Sequence, residues 1–383
     1  MKTVGIMSMQ RIYNYGSSLQ AYGLKRLIED SLPEAAVSFV DFRPGQPLGT
    51  APAATTRLGR TLLKVREYNA TRAPLVDKLR FFNHKRRYSR HFDQLGLPGS
   101  PVHDLDLDVQ VIGSDEVFNA FQANTNVGYS RDLFGHGSPA RRIVSYAASF
   151  GNTTVAKIDA AGLRGDLADD LSGFGAISVR DGNSADVVES LVGTRPAIHV
   201  DPALAYDFLR REPRIPATRR TEEPYVIVYG YSGRLGPQEN RALRAHADRI
   251  GARILTFGGV QECGDRFVDA DPFELLAWFR DAEAVLTDTF HGTIFSIINH
   301  VPFATLVRPS VGGGYGNEEK LGHLLATFGL QGRRLDDIGD LASLLAEPVD
   351  AGAVDAVLAT ERERSVEYLR TAIGSPGDPG ALG

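Results

Sequence analysis

Residues 210–230 read RREPRIPATRRTEEPYVIVYG, and this stretch decides the fold. Pro213, Pro216 and Pro224 fall among charges with almost no large apolar side chains. Proline fixes φ and removes a backbone donor, so the stretch reads as a linker. Directly after it, Tyr225–Tyr229 is an apolar run of strand length. One folding unit therefore ends here and a second begins.

Upstream, strand-like runs alternate with helical patterns. Thr3–Met7, Val37–Asp41, Val109–Ile112, Ile143–Ala147, Ala176–Val179 and Ala197–Val200 are strand candidates, with helices expected at Ser18–Ser31 and Ser184–Leu191. Downstream, strands are expected at Arg253–Phe257, Ala284–Thr287 and Phe303–Val307. Helices are expected at Pro237–Ile250, Pro272–Arg280, His291–Asn299, Leu321–Phe328, Leu341–Leu345 and Glu361–Ile373. Strands separated by helices imply parallel sheets with helices on both faces. The reading is α/β, with two doubly wound Rossmann-like domains and a cleft between them. The first domain spans 1–212, a linker 213–224, the second domain 225–346, a C-terminal helix 347–374, and a Gly/Pro-rich, disordered tail 375–383.

The chain has 383 residues, 43% hydrophobic and 23% charged, which excludes a disordered or fibrous protein. The single cysteine, Cys263, excludes a disulfide scaffold and a cysteine-based metal site. No apolar run approaches the ~20 residues a membrane-spanning helix needs. MKTVGIMS turns polar at once, so no signal peptide is expected and a reducing cytoplasm is the expected compartment. The net charge of −5 argues against a nucleic-acid partner. Between Arg57 and His91, however, eleven Lys and Arg residues face only Glu67 and Asp77. This segment is expected to be helical and exposed at the cleft rim. It is either a solvated face or a docking patch for a phosphorylated or lipid-linked acceptor, with peripheral association at the inner face of an anionic membrane.

In parallel α/β sheets ligands sit beyond the carboxyl ends of strands, so five junctions matter. Residues 9–20, MQRIYNYGSSLQ, join the first strand to its helix; Ser17 or Ser18 suits a cap, which leaves Asn14, Tyr15 and Gly16 as a binding loop. Residues 111–119, VIGSDEVFN, place Asp115 and Glu116 side by side after a strand, where their pKa values can be driven apart. Arg180 follows a strand directly and suits a two-pronged grip on carboxylate or phosphate. Asp201 precedes Pro202 in a strand-terminating turn. Residues 285–296, VLTDTFHGTIFS, end a strand and open a helix with His291, Gly292 and Thr293. A histidine there opposes the helix dipole in its charged form. The same place suits an anion cradled by the Gly292 and Thr293 N–H groups, with His291 as proton donor. Each junction also fits a plain capped turn. No metal spacing, Walker loop or GxSxG elbow is present.

The strings NYGSSLQAYGL, VIGSDEVFN, SYAASFG, AISVRD, HVDPAL, TDTFHGTIFSIINHVPF and LGHLLATFGLQGR occur in the order seen in the polysaccharide pyruvyl transferase family. The resemblance runs from about residue 3 to about residue 334. It implies a GT-B-like architecture and transfer of a pyruvyl group from phosphoenolpyruvate to a sugar of a cell-surface glycan or its lipid-linked precursor. It further implies no cofactor, and family acid and phosphate-binding positions at Asp115, Arg180 and His291. Ketal-forming members carry Arg-Leu-His where this chain has Thr289-Phe290-His291. The missing guanidinium would have to be replaced, by Lys320, Arg308 or the basic segment. The expected donor site is therefore Arg180, Ser232, Gly292, Thr293 and Lys320, with Asn14, Tyr15, Gly16 and Glu116 on the acceptor side and His291, Asp115 and Arg180 catalytic. Assembly into a homo-oligomer is also an expectation. A nucleotide-sugar glycosyltransferase and a catalytically idle glycan-binding protein remain as alternatives, because one architecture serves all three.

Overall fold

The computed structural model describes residues 1–48, 72–308 and 318–374. The first sheet contains β1 (Thr3–Met7), β2 (Ala36–Phe39), β3 (Val109–Asp115), β4 (Arg142–Ala148), β5 (Phe174–Ala176), β6 (Ser178–Val179) and β7 (Ala197–Ile198). It is parallel throughout, in the order β2-β1-β3-β4-β6-β7, with β5 beside β4. The second contains β8 (Tyr225–Tyr229), β9 (Arg253–Phe257), β10 (Arg266–Phe267), β11 (Ala284–Thr287), β12 (Phe303–Leu306) and β13 (Arg334–Leu335). Its order, β10-β9-β8-β11-β12-β13, is the Rossmann pattern of two windings outward from a central strand. Strands β8, β11 and β12 are buried at every position, as a parallel sheet covered on both faces requires. The molecule thus has two Rossmann-like units in a GT-B-like arrangement.

Local chemistry explains why the second unit follows its sequence closely. Asp271 accepts the N–H groups of Phe273 and Glu274, and Glu274 returns a bond to the Asp271 N–H, so helix Pro272–Arg280 starts where a capping box dictates. Helix Pro237–Ile250 has proline at its first turn. The first unit departs more. Helix Tyr15–Ser31 begins three residues before the expected Ser18, because Asn14 Oδ1 accepts the Gly16 N–H at 2.8 Å. Neither Ser17 nor Ser18 is the cap. The single strand expected at Ala176–Val179 is divided into β5 and β6.

The proline-rich stretch is irregular after the short helix Phe208–Arg211. It is nevertheless anchored. The Arg214 guanidinium lies over the rings of Tyr22, at 4.9 Å, and Phe273, at 4.1 Å, one from each unit. Glu212, beside it, is buried and holds Arg214 at 2.7 Å. The final helix, Ala351–Gly374, starts ten residues earlier than expected and packs on the first sheet, although it follows the second in the chain. Tyr368 donates to the Ser145 carbonyl at 2.8 Å, and Arg142 to the Ala372 carbonyl at 3.0 Å. One apolar core accordingly runs through both units, from Leu19 and Val111 to Phe295 and Ile373.

Of the basic segment, residues 57–71 lie outside the described residues, as does the expected disordered tail 375–383. The rest is helix Leu75–Arg87 followed by the turn Tyr88–His91. Among the described residues no helix is long and apolar enough to cross a membrane.

Candidate active site

The strand order reverses beside β1 in the first sheet and beside β8 in the second. At such switch points adjacent loops part and leave a crevice. Here the crevices face one another and enclose a cavity of about 240 Å³. The loops after β1, β3, β6, β8 and β11 line it, together with His84 and Lys85 of helix Leu75–Arg87.

Asp115 ends β3 with φ +74°, a left-handed backbone that an aspartate adopts at some strain. Its carboxylate is held by the Ser17 hydroxyl at 2.8 Å and the Glu116 N–H at 2.9 Å. Arg180 Nη2 stands 3.9 Å away. Arg180 itself is buried, its guanidinium 4.2 Å from the Phe290 ring centroid and 2.7 Å from Asp201 Oδ2. The sequence reading made Arg180 an open grip for a substrate anion. Instead a carboxylate already neutralises much of its charge, because a lone guanidinium so deeply buried would be prohibitively unstable.

Asp201, read as a turn residue, is the organiser of the site. It accepts from Ser114 Oγ at 3.2 Å and, as cap of helix Pro202–Ala205, from the Ala203 N–H at 2.9 Å. His291 Nε2 lies 3.6 Å from its Oδ2, an ion-pair distance too long for a hydrogen bond. Burial opposes ionisation of Asp201, but His291 and Arg180 outweigh it and hold the carboxyl far below the usual range.

His291 opens helix Phe290–Ile298, as the sequence suggested, but the cradle beside it differs. Thr289 caps the helix and its Oγ1 takes the Gly292 N–H at 3.0 Å. The Thr293 N–H reaches the Thr289 carbonyl at 3.2 Å, and Thr293 Oγ1 bonds that carbonyl and Thr305. Both expected phosphate donors are therefore spent on the helix itself. Gly292 is glycine for packing: a Cβ there would overlap Thr287 Oγ1. A Cβ on Gly16 would likewise overlap the His291 ring, so Gly16 makes room for the imidazole and does not itself line the cavity.

Other assignments also change. Asn14 and Tyr15 line the cavity, but their polar groups are engaged: Asn14 caps its helix and donates to Tyr231 at 3.2 Å, and the Tyr15 hydroxyl donates to the Ala270 carbonyl at 2.8 Å. Glu116 and Lys320, expected on acceptor and donor sides, pair across the units at 2.6 Å. Burial works against the Glu116 carboxylate, yet Lys320 and Asn119 overcome this and hold its pKa at about 2. Ser232 accepts the Val260 N–H at 3.1 Å and does not line the cavity. Nor does Arg308, which pairs with Glu239 at 3.1 Å. Residues missed in the sequence are Phe290 against Arg180, and the rim residue His84. His84 donates or accepts at 2.6 Å with Asp269, and burial lowers its pKa despite that partner. Lys85 belongs to the basic segment expected at the cleft rim, and it lines the cavity. Among the described residues no group of His, Cys, Asp or Glu side chains is arranged to hold a metal ion.

The chain is similar in structure to the MnaA–UDP complex of S. aureus, at 10% identity and a TM-score of 0.48, covering 99% of this chain and 100% of that one. It is similarly related to the UDP-GlcNAc 2-epimerase of Methanocaldococcus jannaschii, at 11% identity and 0.48, covering 97% and 100%. For the O-GlcNAc transferase of Thermobaculum terrenum the values are 16% and 0.41, and the chain spans 65% of that protein's length. A sequence search of curated proteins finds no match. The sequence profile of the family described as polysaccharide pyruvyl transferase matches residues 14–309, most of the chain, including Asp115, Arg180 and His291. The chain belongs to the polysaccharide pyruvyl transferase family.

Proposed function

We propose that this protein transfers a pyruvyl group from phosphoenolpyruvate to two hydroxyls of a glycan sugar, free or lipid-linked, and forms a cyclic ketal. The observation that carries the reading is the convergence of His291, Asp115 and Arg180 on one cavity from three strand ends of a family member. A proton must reach C3 of phosphoenolpyruvate, which leaves a cation at C2. One sugar hydroxyl attacks C2 and gives up its proton; a second displaces phosphate and closes the ring. His291 Nε2, 3.6 Å from the Asp201 carboxylate and on the cavity wall, is placed to act as the acid. Asp115, held by the Ser17 hydroxyl on the opposite wall of the cavity, is placed to act as a base for the acceptor. Lys85 on the rim, and Arg180 and Lys320 beside their carboxylate partners, are the cationic side chains that a donor bearing phosphate and carboxylate would meet. With the Gly292 and Thr293 N–H groups engaged, these side chains stand in for the helix cradle and for the Arg replaced by Thr289. The chemistry asks for no resident cofactor, and the buried thiol of Cys263 suits a reducing cytoplasm.

The test is release of phosphate from phosphoenolpyruvate across a panel of glycan and lipid-linked acceptors, with the ketal detected by mass. Acceptor-dependent release is expected. Binding of a uridine or guanosine diphosphate with no response to phosphoenolpyruvate would overturn the assignment in favour of a nucleotide-sugar transferase.

A further inference from the structure

Helix Leu75–Arg87 turns two different faces to its surroundings. Phe81 and His84 point to the second unit, where the Phe81 ring meets Phe267 at 5.3 Å and His84 meets Asp269. On the opposite face Leu75, Leu79 and Phe82 stand at i, i+4 and i+7, with Val76 beside them. Their exposures are 78%, 63%, 52% and 55%. Single exposed apolar residues are common on soluble proteins, but a stripe of four on one helix face is not. Basic side chains flank the stripe on both sides: Lys78 and Lys85 along one edge, Arg80 and Arg87 along the other. Arg86 lies over the Phe82 ring at 5.8 Å. Between residues 75 and 90 there are six Lys or Arg and one acidic residue, Asp77, which is buried and bonded to Arg80.

An apolar stripe between cationic borders matches a helix lying in the headgroup plane of an anionic bilayer, with the stripe among the upper acyl chains and the charges at the phosphates. We infer that helix Leu75–Arg87 is a docking element for an anionic lipid surface. Charge decides between occupants. A second copy of the same face would bring the exposed Arg86 and Arg87 towards their own copies, and a neutral apolar partner would offer these two guanidiniums no counter-charge. The position of the helix adds a consequence, which rests on the transferase reading: His84 and Lys85 also line the cavity, so docking sets the cavity rim at the headgroup level, where a lipid-linked acceptor carries its sugar.

Vesicle sedimentation tests this without using activity. The full chain is expected to bind phosphatidylglycerol-containing vesicles, to leave pure phosphatidylcholine vesicles unbound, and to lose most binding at high salt. The double variant Leu79→Glu/Phe82→Glu should bind at least ~10-fold more weakly, because it removes two inserting side chains and adds repelling charge. Arg86→Glu/Arg87→Glu should lose anionic binding while remaining folded by circular dichroism, since both residues are exposed. Turnover on a soluble acceptor should be unchanged in Leu79→Glu/Phe82→Glu, so a failed transferase assignment would leave the vesicle result standing. The inference is overturned if the unmodified chain ignores anionic vesicles or if Leu79→Glu/Phe82→Glu binds them equally well. It is also overturned if the stripe proves to hold two copies together, seen as a dimer in light scattering that this variant dissolves.

Discussion

Two helices open onto the cavity from opposite sheets, and their first turns are built alike. Asn14 caps Tyr15–Ser31 and Thr289 caps Phe290–Ile298, each through a side-chain oxygen that takes a backbone N–H. They differ inside the first turn, where Gly16 carries no side chain and His291 fills the space that leaves. A helix N-terminus read from sequence looks like an anion cradle. Here the caps use donors that a phosphate would need, and on the transferase reading recognition would pass to side chains held between the helices. The difference between the two turns is what brings an imidazole to the centre of the site.

The largest effect should come from breaking that fit. His291→Ala is expected to lower turnover by ~10²–10⁴-fold, the usual worth of a positioned acid, with melting temperature nearly unchanged. His291→Gln should lose nearly as much. Gly16→Ala pushes the imidazole aside and should approach the same loss, yet add little in a His291→Ala background, because the two positions act as one unit. Full turnover in Gly16→Ala would show the helices to be independent.

Next in size is the support behind His291. Asp201→Ala strands the buried Arg180 charge and should destabilise the fold by about 3–5 kcal/mol in urea unfolding. Asp115→Ala, whose oxygen is 3.9 Å from Arg180, should cost clearly less. Equal losses would mean that Asp115, not Asp201, neutralises the arginine.

Glu116 gives a smaller, pH-dependent effect. Its carboxyl ionises near 4.5 when unfolded and at about 2 when folded. A lowered folded pKa stabilises the fold above the unfolded value, and this contribution fades as pH falls from about 4.5 towards 2. In Lys320→Met burial of Glu116 is unopposed by that charge, so the stabilising contribution disappears. The melting temperatures of the two proteins should differ clearly at neutral pH and converge near pH 2. A constant gap across this range would place the pair's contribution outside electrostatics. The smallest effect is expected for Thr289→Ala, which removes a helix cap worth about 1 kcal/mol and should be read as a modest loss in melting temperature.

Much of this protein was legible in its residues. Helices Pro237–Ile250 and Pro272–Arg280 and strands Tyr225–Tyr229, Arg253–Phe257 and Ala284–Thr287 lie where prolines, caps and apolar runs put them, because these signals act within a few residues. The same local logic brought Asp115, Arg180 and His291 into view, since each ends or follows a strand in a parallel sheet. What tertiary structure alone decided is who meets whom. Asp201 against Arg180, Gly16 beneath His291, and Glu116 with Lys320 across 204 residues are contacts between separate elements, and no local spacing encodes them. The reason is physical: a cap is a bond between neighbours in the chain, whereas the partner of a buried charge is whichever opposite charge packing brings within reach.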